Sequence, residues 1–243
     1  MKLIQAILET LSIDAPVKEV RMGAFVTAVW ARRMGLAYTL VPNKPHGKRM
    51  PIPDAGNLTK LSCRQLAQMA LSNELPQPSI GMAALNALVA ETVKDEHLEE
   101  ADGAQMLMQL ADGKRVALVG HFPFVEELRM RAGQLMVFEE RPLPGDLPAH
   151  MADELLPQAQ IVVITGSTFI NHTIEHLLEL SKDAELVMVM GPTTPLSKVL
   201  FEFGVDVIAG SLVLEPKTVL RYVSEGATFR QLRGVKKVVM RHS

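Results

Sequence analysis

From position 116 onward the chain alternates short apolar runs with helix-patterned stretches, and few folds accept that rhythm. Apolar runs at 116–119, 135–138, 161–165, 186–190 and 205–209 are separated by helical segments near 124–132, 150–156, 170–180, 195–203 and 216–224. Runs that are apolar at nearly every residue predict strands covered on both faces, and their alternation with helices predicts a parallel sheet between two helical layers. Four of the runs meet a glycine, at Gly120, Gly166, Gly191 and Gly210. Open α/β sheets bind their ligands beyond the carboxyl ends of the strands, where strand order reverses. The loops at these glycines are therefore the places to look for chemistry.

The first of these turns, VALVGHFPFVEELR at 116–129, has the strand, turn and helix of a dinucleotide-binding unit but not its glycine code. That code continues G-x-G-x-x-G, so that backbone can approach a pyrophosphate closely. Here Phe122 stands where the second glycine belongs, and its ring is expected to fill that space, which disfavours NAD or FAD. His121 follows the strand directly and is expected to project over the sheet edge as a ligand or proton-transfer group, although a half-buried histidine bonded to a carbonyl is the plainer alternative.

Two further loops offer short hydroxyls at helix starts, which suit an anionic group. ITGSTFIN at 164–171 carries Ser167, Thr168 and Asn171, and GPTTPLS at 191–197 carries Thr193, Thr194 and Ser197 around Pro195. Capping alone accounts for such residues in many helices; two such loops beside Gly120 predict a polar pocket floor. Glu139 closes the second strand where a dinucleotide domain holds a ribose, and Asp146 lies in a Pro/Gly turn on the same rim. HTIEH at 172–176 matches the inverted zinc-protease pattern H-x-x-E-H. On a helical projection, however, Ile170, Ile174, Leu177 and Leu178 form the buried stripe, so His172, Glu175 and His176 are expected to face solvent, without the cavity a catalytic zinc requires. No G-x-S-x-G elbow, G-x-x-x-x-G-K-[ST] loop or CxxC is present.

Upstream the pattern changes. MKLIQAILETL reads as an amphipathic helix, not a signal peptide. Three β-rich runs follow at 17–22, 24–30 and 36–41, with RRMG as the turn between the last two. Residues 42–57 are rich in Pro, Gly and Asn, and so long a loop is a candidate lid, from Pro42 to Asn57. Ser62 with Gln65 then makes a capping box, and Ser79 is expected to cap a second helix. The acidic stretch 94–102 is taken as the boundary, giving a first domain at 1–93 and a second at 94–243. At 243 residues the chain has room for two modest cores. A net charge of −2 without a basic stripe excludes an ordinary nucleic-acid binder. No apolar run approaches the ~20 residues that span a membrane, and the lone Cys63 excludes an internal disulfide and suits a cytoplasmic location.

Taken together, RMGAFVTAVW, SIGMAALNAL, VGHFPFVEELR, FEERPLPGDLP, ADELLPQAQIVVITGSTFIN, GPTTPLSKVLFEFGVDVIAG and SEGATFRQL resemble a family described as heavy-metal chelation proteins. The resemblance implies an α/β fold, with a small α+β enolase-N-terminal-like domain followed by a Rossmann-like parallel-sheet α/β domain. It also implies a site between the two, binding or processing a small anionic ligand or a metal chelate. Carried onto this chain it points to Gly120, His121, Phe122 and Pro123, to Asp146, to Thr165, Gly166, Ser167, Thr168 and Asn171, and to Gly191, Pro192, Thr193, Thr194 and Pro195. His121 and Asp146 are the metal-ligand candidates, for a transition or heavy metal ion. The expected partner is a small anionic molecule or metal chelate, with neither nucleic acid nor membrane, and homo-oligomerisation is left open. The alternative is a transferase or lyase on a nucleotide-like substrate, with Glu139 on its ribose.

Overall fold

The computed structural model describes residues 1–42 and 51–242. Half of the loop read as a lid, residues 43–50, lies outside the described residues. The chain begins with α1 (Lys2–Thr10), whose Leu3, Ile4, Ile7 and Leu8 form the buried stripe. An antiparallel meander follows, β1 (Glu19–Met22), β2 (Val26–Trp30) and β3 (Met34–Tyr38), in the order β1-β2-β3. The third strand starts two residues earlier than its side chains suggest, because Gly35, which carries no pattern, lies inside it.

α2 (Cys63–Ala67) starts at the expected capping box, with the Gln65 amide donating to Ser62 Oγ and the Ser62 amide donating to Gln65 Oε1. α3 (Gln77–Thr92) starts two residues before Ser79. Ser79 is not a cap: it is fully buried, and its hydroxyl accepts from the Leu40 amide at 3.0 Å. Nearly every residue of α3 from Pro78 to Ala90 is buried, because the helix lies between the small sheet and the rest of the chain.

The second half builds the expected rhythm: α4 (Gly103–Leu110), β4 (Arg115–Val119), α5 (Val125–Arg129), β5 (Gln134–Glu139), β6 (Leu147–Pro148) and α6 (Ala152–Leu155). It continues with β7 (Ile161–Thr165), α7 (Ile174–Leu180), β8 (Leu186–Met190), α8 (Val199–Glu202), β9 (Val207–Val213), α9 (Pro216–Ser224) and β10 (Val235–Arg241). The seven strands run β10-β9-β8-β7-β4-β5-β6, parallel throughout except for β10. Counted from β4 this is the doubly wound order, with the switch point between β4 and β7. β9 does not end at Gly210. It runs on to Val213 because β10 pairs with its whole length, and a side chain on Gly210 would meet Leu196 Cδ2 at 2.8 Å. The sequence reading missed β10, whose Lys236 and Lys237 resemble a polar tail although Val238, Val239 and Met240 are buried.

One apolar core runs without a break from Leu3 through Leu85 to Ile164, Ile208 and Met240, crossing both halves. The opposite face of the large sheet is covered by α4 and α5, and α9 packs on the outer face of β2 and β3. Among the described residues no helix is long and apolar enough to cross a membrane.

Cys63 lies in the shared core, donating weakly to the Ala84 carbonyl at 3.4 Å. Burial, followed by the charges of Asp14 and Glu91, pushes its thiol from an ordinary 9.0 up to about 12. Below the ordinary value both folded and unfolded chains keep this proton, so the thiol costs nothing. Between the two values only the unfolded chain releases it, so stability falls as pH rises through that window. Native protein near pH 8 is expected to be inert to a disulfide thiol reagent and to react at the rate of unfolding. Rapid stoichiometric labelling without denaturant would contradict this burial.

Candidate functional site

The β4 turn is shaped by contacts that exclude larger side chains. Gly120 has φ +105°, and a Cβ there would meet Thr165 Cγ2 at 2.9 Å. The next amide, of His121, donates to Glu139 Oε1 at 2.7 Å, and Glu139 Oε2 accepts from the Glu140 amide at 3.0 Å. Both oxygens of Glu139 are thus engaged by backbone at the end of β5. Phe122 stacks on Phe124, with centroids 5.2 Å apart, and packs against the α4 and α5 face, while Pro123 is exposed. The following helix has only five residues. A ribose partner in Glu139 and a pyrophosphate cradle at this turn both lose their support.

His121 Nδ1 lies 2.8 Å from Asp146 Oδ2, which also accepts from the Leu143 amide at 3.0 Å. The Asp146 side chain is 1% exposed and that of His121 29%. A carboxylate only accepts, so Nδ1 carries the hydrogen, and in the neutral ring the lone pair is on Nε2. The other oxygen, Asp146 Oδ1, is buried with no partner.

At the end of β7 the hydroxyls are largely turned on their own loop. Thr165 Oγ1 accepts from Ser167 Oγ at 3.2 Å, Thr168 Oγ1 donates to the Thr165 carbonyl at 2.7 Å, and Asn171 Oδ1 accepts from Thr173 Oγ1 at 2.8 Å. The loop after β8 is buried, with Thr193 bonded across to the first half and Thr194 Oγ1 left without a partner among the described residues. Pro192, Thr193, Thr194 and Pro195 are buried, and Thr193 Oγ1 accepts from the Tyr38 amide at 2.8 Å. Asn86 Nδ2 donates to the carbonyls of Leu36 at 2.9 Å and Thr193 at 3.0 Å. Gly166 lets these segments close, since a Cβ there would sit 2.5 Å from Thr194 Oγ1, and Gly191 takes a φ of +123° that other side chains rarely adopt. The 191–195 loop therefore seams the two halves.

HTIEH is also a seam. His172 precedes α7, at φ +62°, with Nε2 2.8 Å from the Ala70 carbonyl and Nδ1 3.2 Å from Asn73 Oδ1. Glu175 Oε1 accepts from the Leu3 amide at 2.9 Å and so caps α1. Neither faces open solvent as expected: both tie the second half to the first. Only His176 turns away, with Nε2 2.6 Å from Asp153 Oδ1 and a side chain 62% exposed.

An open cleft of about 440 Å³ lies beyond β4, β5 and β7, at the switch point. Of the residues singled out in the sequence it collects Gly120, Glu139, Thr165, Ser167, Thr168 and Asn171. His121 and Asp146 stand beside it and not in its lining, and residues 191–195 are excluded from it. Glu140, His150, Asp153 and His176 complete its polar wall. His150 and Asp153 went unnoticed as site residues, although H-x-x-D spacing within a predicted helix places two polar groups one turn apart. The described lining comes wholly from residues 119–177 and contains no Lys or Arg. Among the described residues no three His, Cys, Asp or Glu side chains group closely enough to hold a metal ion by themselves.

Comparisons with known proteins agree with this architecture. An uncharacterized protein of Methanocaldococcus jannaschii, MJ0500, is 28% identical over 213 residues, which cover 85% of this chain and 80% of the relative. A DUF364-family protein of unknown function from Desulfitobacterium hafniense DCB-2 superposes with a TM-score of 0.86 at 29% identity, over 99% of this chain and 98% of the other. One from Pyrococcus horikoshii, PH1506, superposes at 0.80 with 20% identity, over 99% of this chain and 98% of that one, and shares the fold. The DUF4213 model matches residues 4–89 and the DUF364 model residues 102–241, both described as "Putative heavy-metal chelation". With more than half of its length matched by the second of these models, the chain belongs to the DUF364 heavy-metal chelation family.

Proposed function

We propose that the switch-point cleft binds a metal in the form of a small chelate carrying net positive charge. One observation carries the reading: Glu139, Glu140 and Asp153 line the cleft with His150 and His176, and no Lys or Arg faces them there. Carboxylates in a partly enclosed wall attract cations and repel anions, so of the two expected ligands the chelate is favoured over a free anion. The want of three grouped protein ligands argues in the same direction, since a bare ion would lack donors and a chelate brings its own. Ser167, Thr168 and Asn171 would hydrogen-bond the chelator, at the expense of their bonds within the loop.

Copper(II)–diethylenetriamine, a divalent complex with one equatorial position open, is a suitable probe. Calorimetry is expected to show it binding, and Glu140→Gln combined with Asp153→Asn is expected to weaken it about 10-fold, as two charges removed from a partly screened site should. The anionic copper(II)–nitrilotriacetate complex is expected to bind more weakly. Equal binding of both complexes, or indifference to the double substitution, would sink the reading.

A further inference from the structure

The chelate reading leaves open which protein atom, if any, enters the metal's coordination sphere. We infer that it is His121 Nε2, with Asp146 acting as the residue that positions the ring and not as a ligand. The inference rests on the proposed function of the cleft.

Three observations select this histidine. Its Nδ1 is fixed at 2.8 Å by a carboxylate whose side chain is 1% exposed, so the ring is anchored from behind and, when neutral, presents the lone pair of Nε2. That is the arrangement by which carboxylates orient metal-binding imidazoles and raise their basicity. Its backbone is locked to the cleft: it follows Gly120, and its amide donates to Glu139, both of which line the wall.

The third observation concerns charge. Asp146 Oδ2 has two donors, the His121 ring and the Leu143 amide, while Oδ1 is buried with none. When the ring is neutral, these two donors alone leave the buried carboxylate poorly compensated. A cation on the far nitrogen of the same ring would compensate it through the imidazole.

Of the other described histidines, His150 lines the cleft but has no carboxylate bonded to its ring to orient it, His242 packs edge-on against Phe201, and three are committed elsewhere. Both nitrogens of His172 are engaged by Ala70 and Asn73, His97 Nε2 faces Lys198 Nζ at 2.9 Å, and His176 Nε2 is taken by the exposed Asp153. One anchored imidazole suits a complex with one vacant position. Asp146 cannot share the ion through Oδ2, which its two donors already occupy.

Pulsed electron paramagnetic resonance of the protein with copper(II)–diethylenetriamine tests this, because the remote nitrogen of a coordinated imidazole modulates the spin echo and an amine chelator does not. The modulation is expected in the wild type and in His150→Ala and His176→Ala, and is expected to be lost in His121→Ala. It should be lost equally in His121→Gln, whose amide can still donate to Asp146 and so guards against a folding defect. Asp146→Asn is expected to keep the modulation while affinity falls 10- to 100-fold. Modulation that survives both His121 substitutions, or vanishes with His176 or His150, would overturn the assignment while leaving the cleft reading intact. A complex that fails to bind wild type at all would overturn the cleft reading and the assignment together.

Discussion

Gly35→Ala is expected to cost about 3 kcal/mol or more, a large fraction of the ~5–15 kcal/mol that holds a domain folded. The reason lies in how closely α3 approaches β3. A methyl group at Gly35 would lie 2.1 Å from the Ala83 carbonyl oxygen and 2.2 Å from the Ala87 amide nitrogen, both backbone atoms of a helix that cannot step aside. α3 is pinned from its other side, where a Cβ on Gly81 would fall 1.9 Å from the Ala70 amide nitrogen. Either substitution must push the helix off one neighbour, and buried side chains such as Leu85 and Leu88 move with it. Urea unfolding followed through Trp30, the single tryptophan and a member of β2, provides the measurement. A loss below about 1 kcal/mol would mean that the helix can ride outward at little cost, and the close-packing account would be wrong.

The large sheet was legible because its central strands are apolar on nearly every residue, the mark of burial on both faces, and because glycines punctuate them at Gly120, Gly166 and Gly191. Its limits were less so. β10 pairs along seven residues of β9, yet Lys236 and Lys237 belong to an exposed edge where charge is common, so the strand has no apolar signature of its own in its first half. Ser79 shows the opposite error. A serine ahead of an apolar run suggests a cap, but α3 is apolar all round, and only the arrival of β3's extension at Leu40 determines what that hydroxyl does.

The site divides along the same line. Gly120, Glu139, Thr165, Ser167 and Thr168 line the cleft at the ends of parallel strands, a position that sequence order alone defines. The 191–195 loop obeyed the same rule and had a different fate, since Tyr38 and Asn86 from the first half cover it. In HTIEH, the spacing described a metal motif while the partners, Ala70 for His172 and Leu3 for Glu175, are about 100 and 172 residues away in sequence. Period and spacing report a residue's neighbours on its own element. They are silent about a surface contributed by another part of the chain, and it is that surface which made seams of a loop expected in the site and of a helix face expected in solvent.

The seam itself yields the other large effect. Asn86→Asp exchanges a single NH₂ for an oxygen, without a cavity, and is expected to cost about 3 kcal/mol or more near neutral pH. Asn86 Nδ2 now serves the carbonyls of Leu36 and Thr193, with Pro192 at 3.4 Å as a marginal third, and so joins β3 to the loop after β8. An acidic oxygen there would face these acceptors with no donor, in a place where Asn86 Oδ1 is already buried and unpaired. Asn86→Ala, which removes the donor but adds no charge, is expected to cost about 2 kcal/mol. If residues 1–93 and 94–243 are the two modules, this is the contact whose loss should separate them. The unbroken core from Leu3 to Met240 predicts otherwise: both variants are expected to unfold in one transition, with Trp30 fluorescence and far-ultraviolet circular dichroism falling together at a lower urea concentration. Trp30 reports the small sheet while circular dichroism reports every helix, so two displaced curves would show that the halves fold separately and that the continuous core is no more than a contact between finished modules.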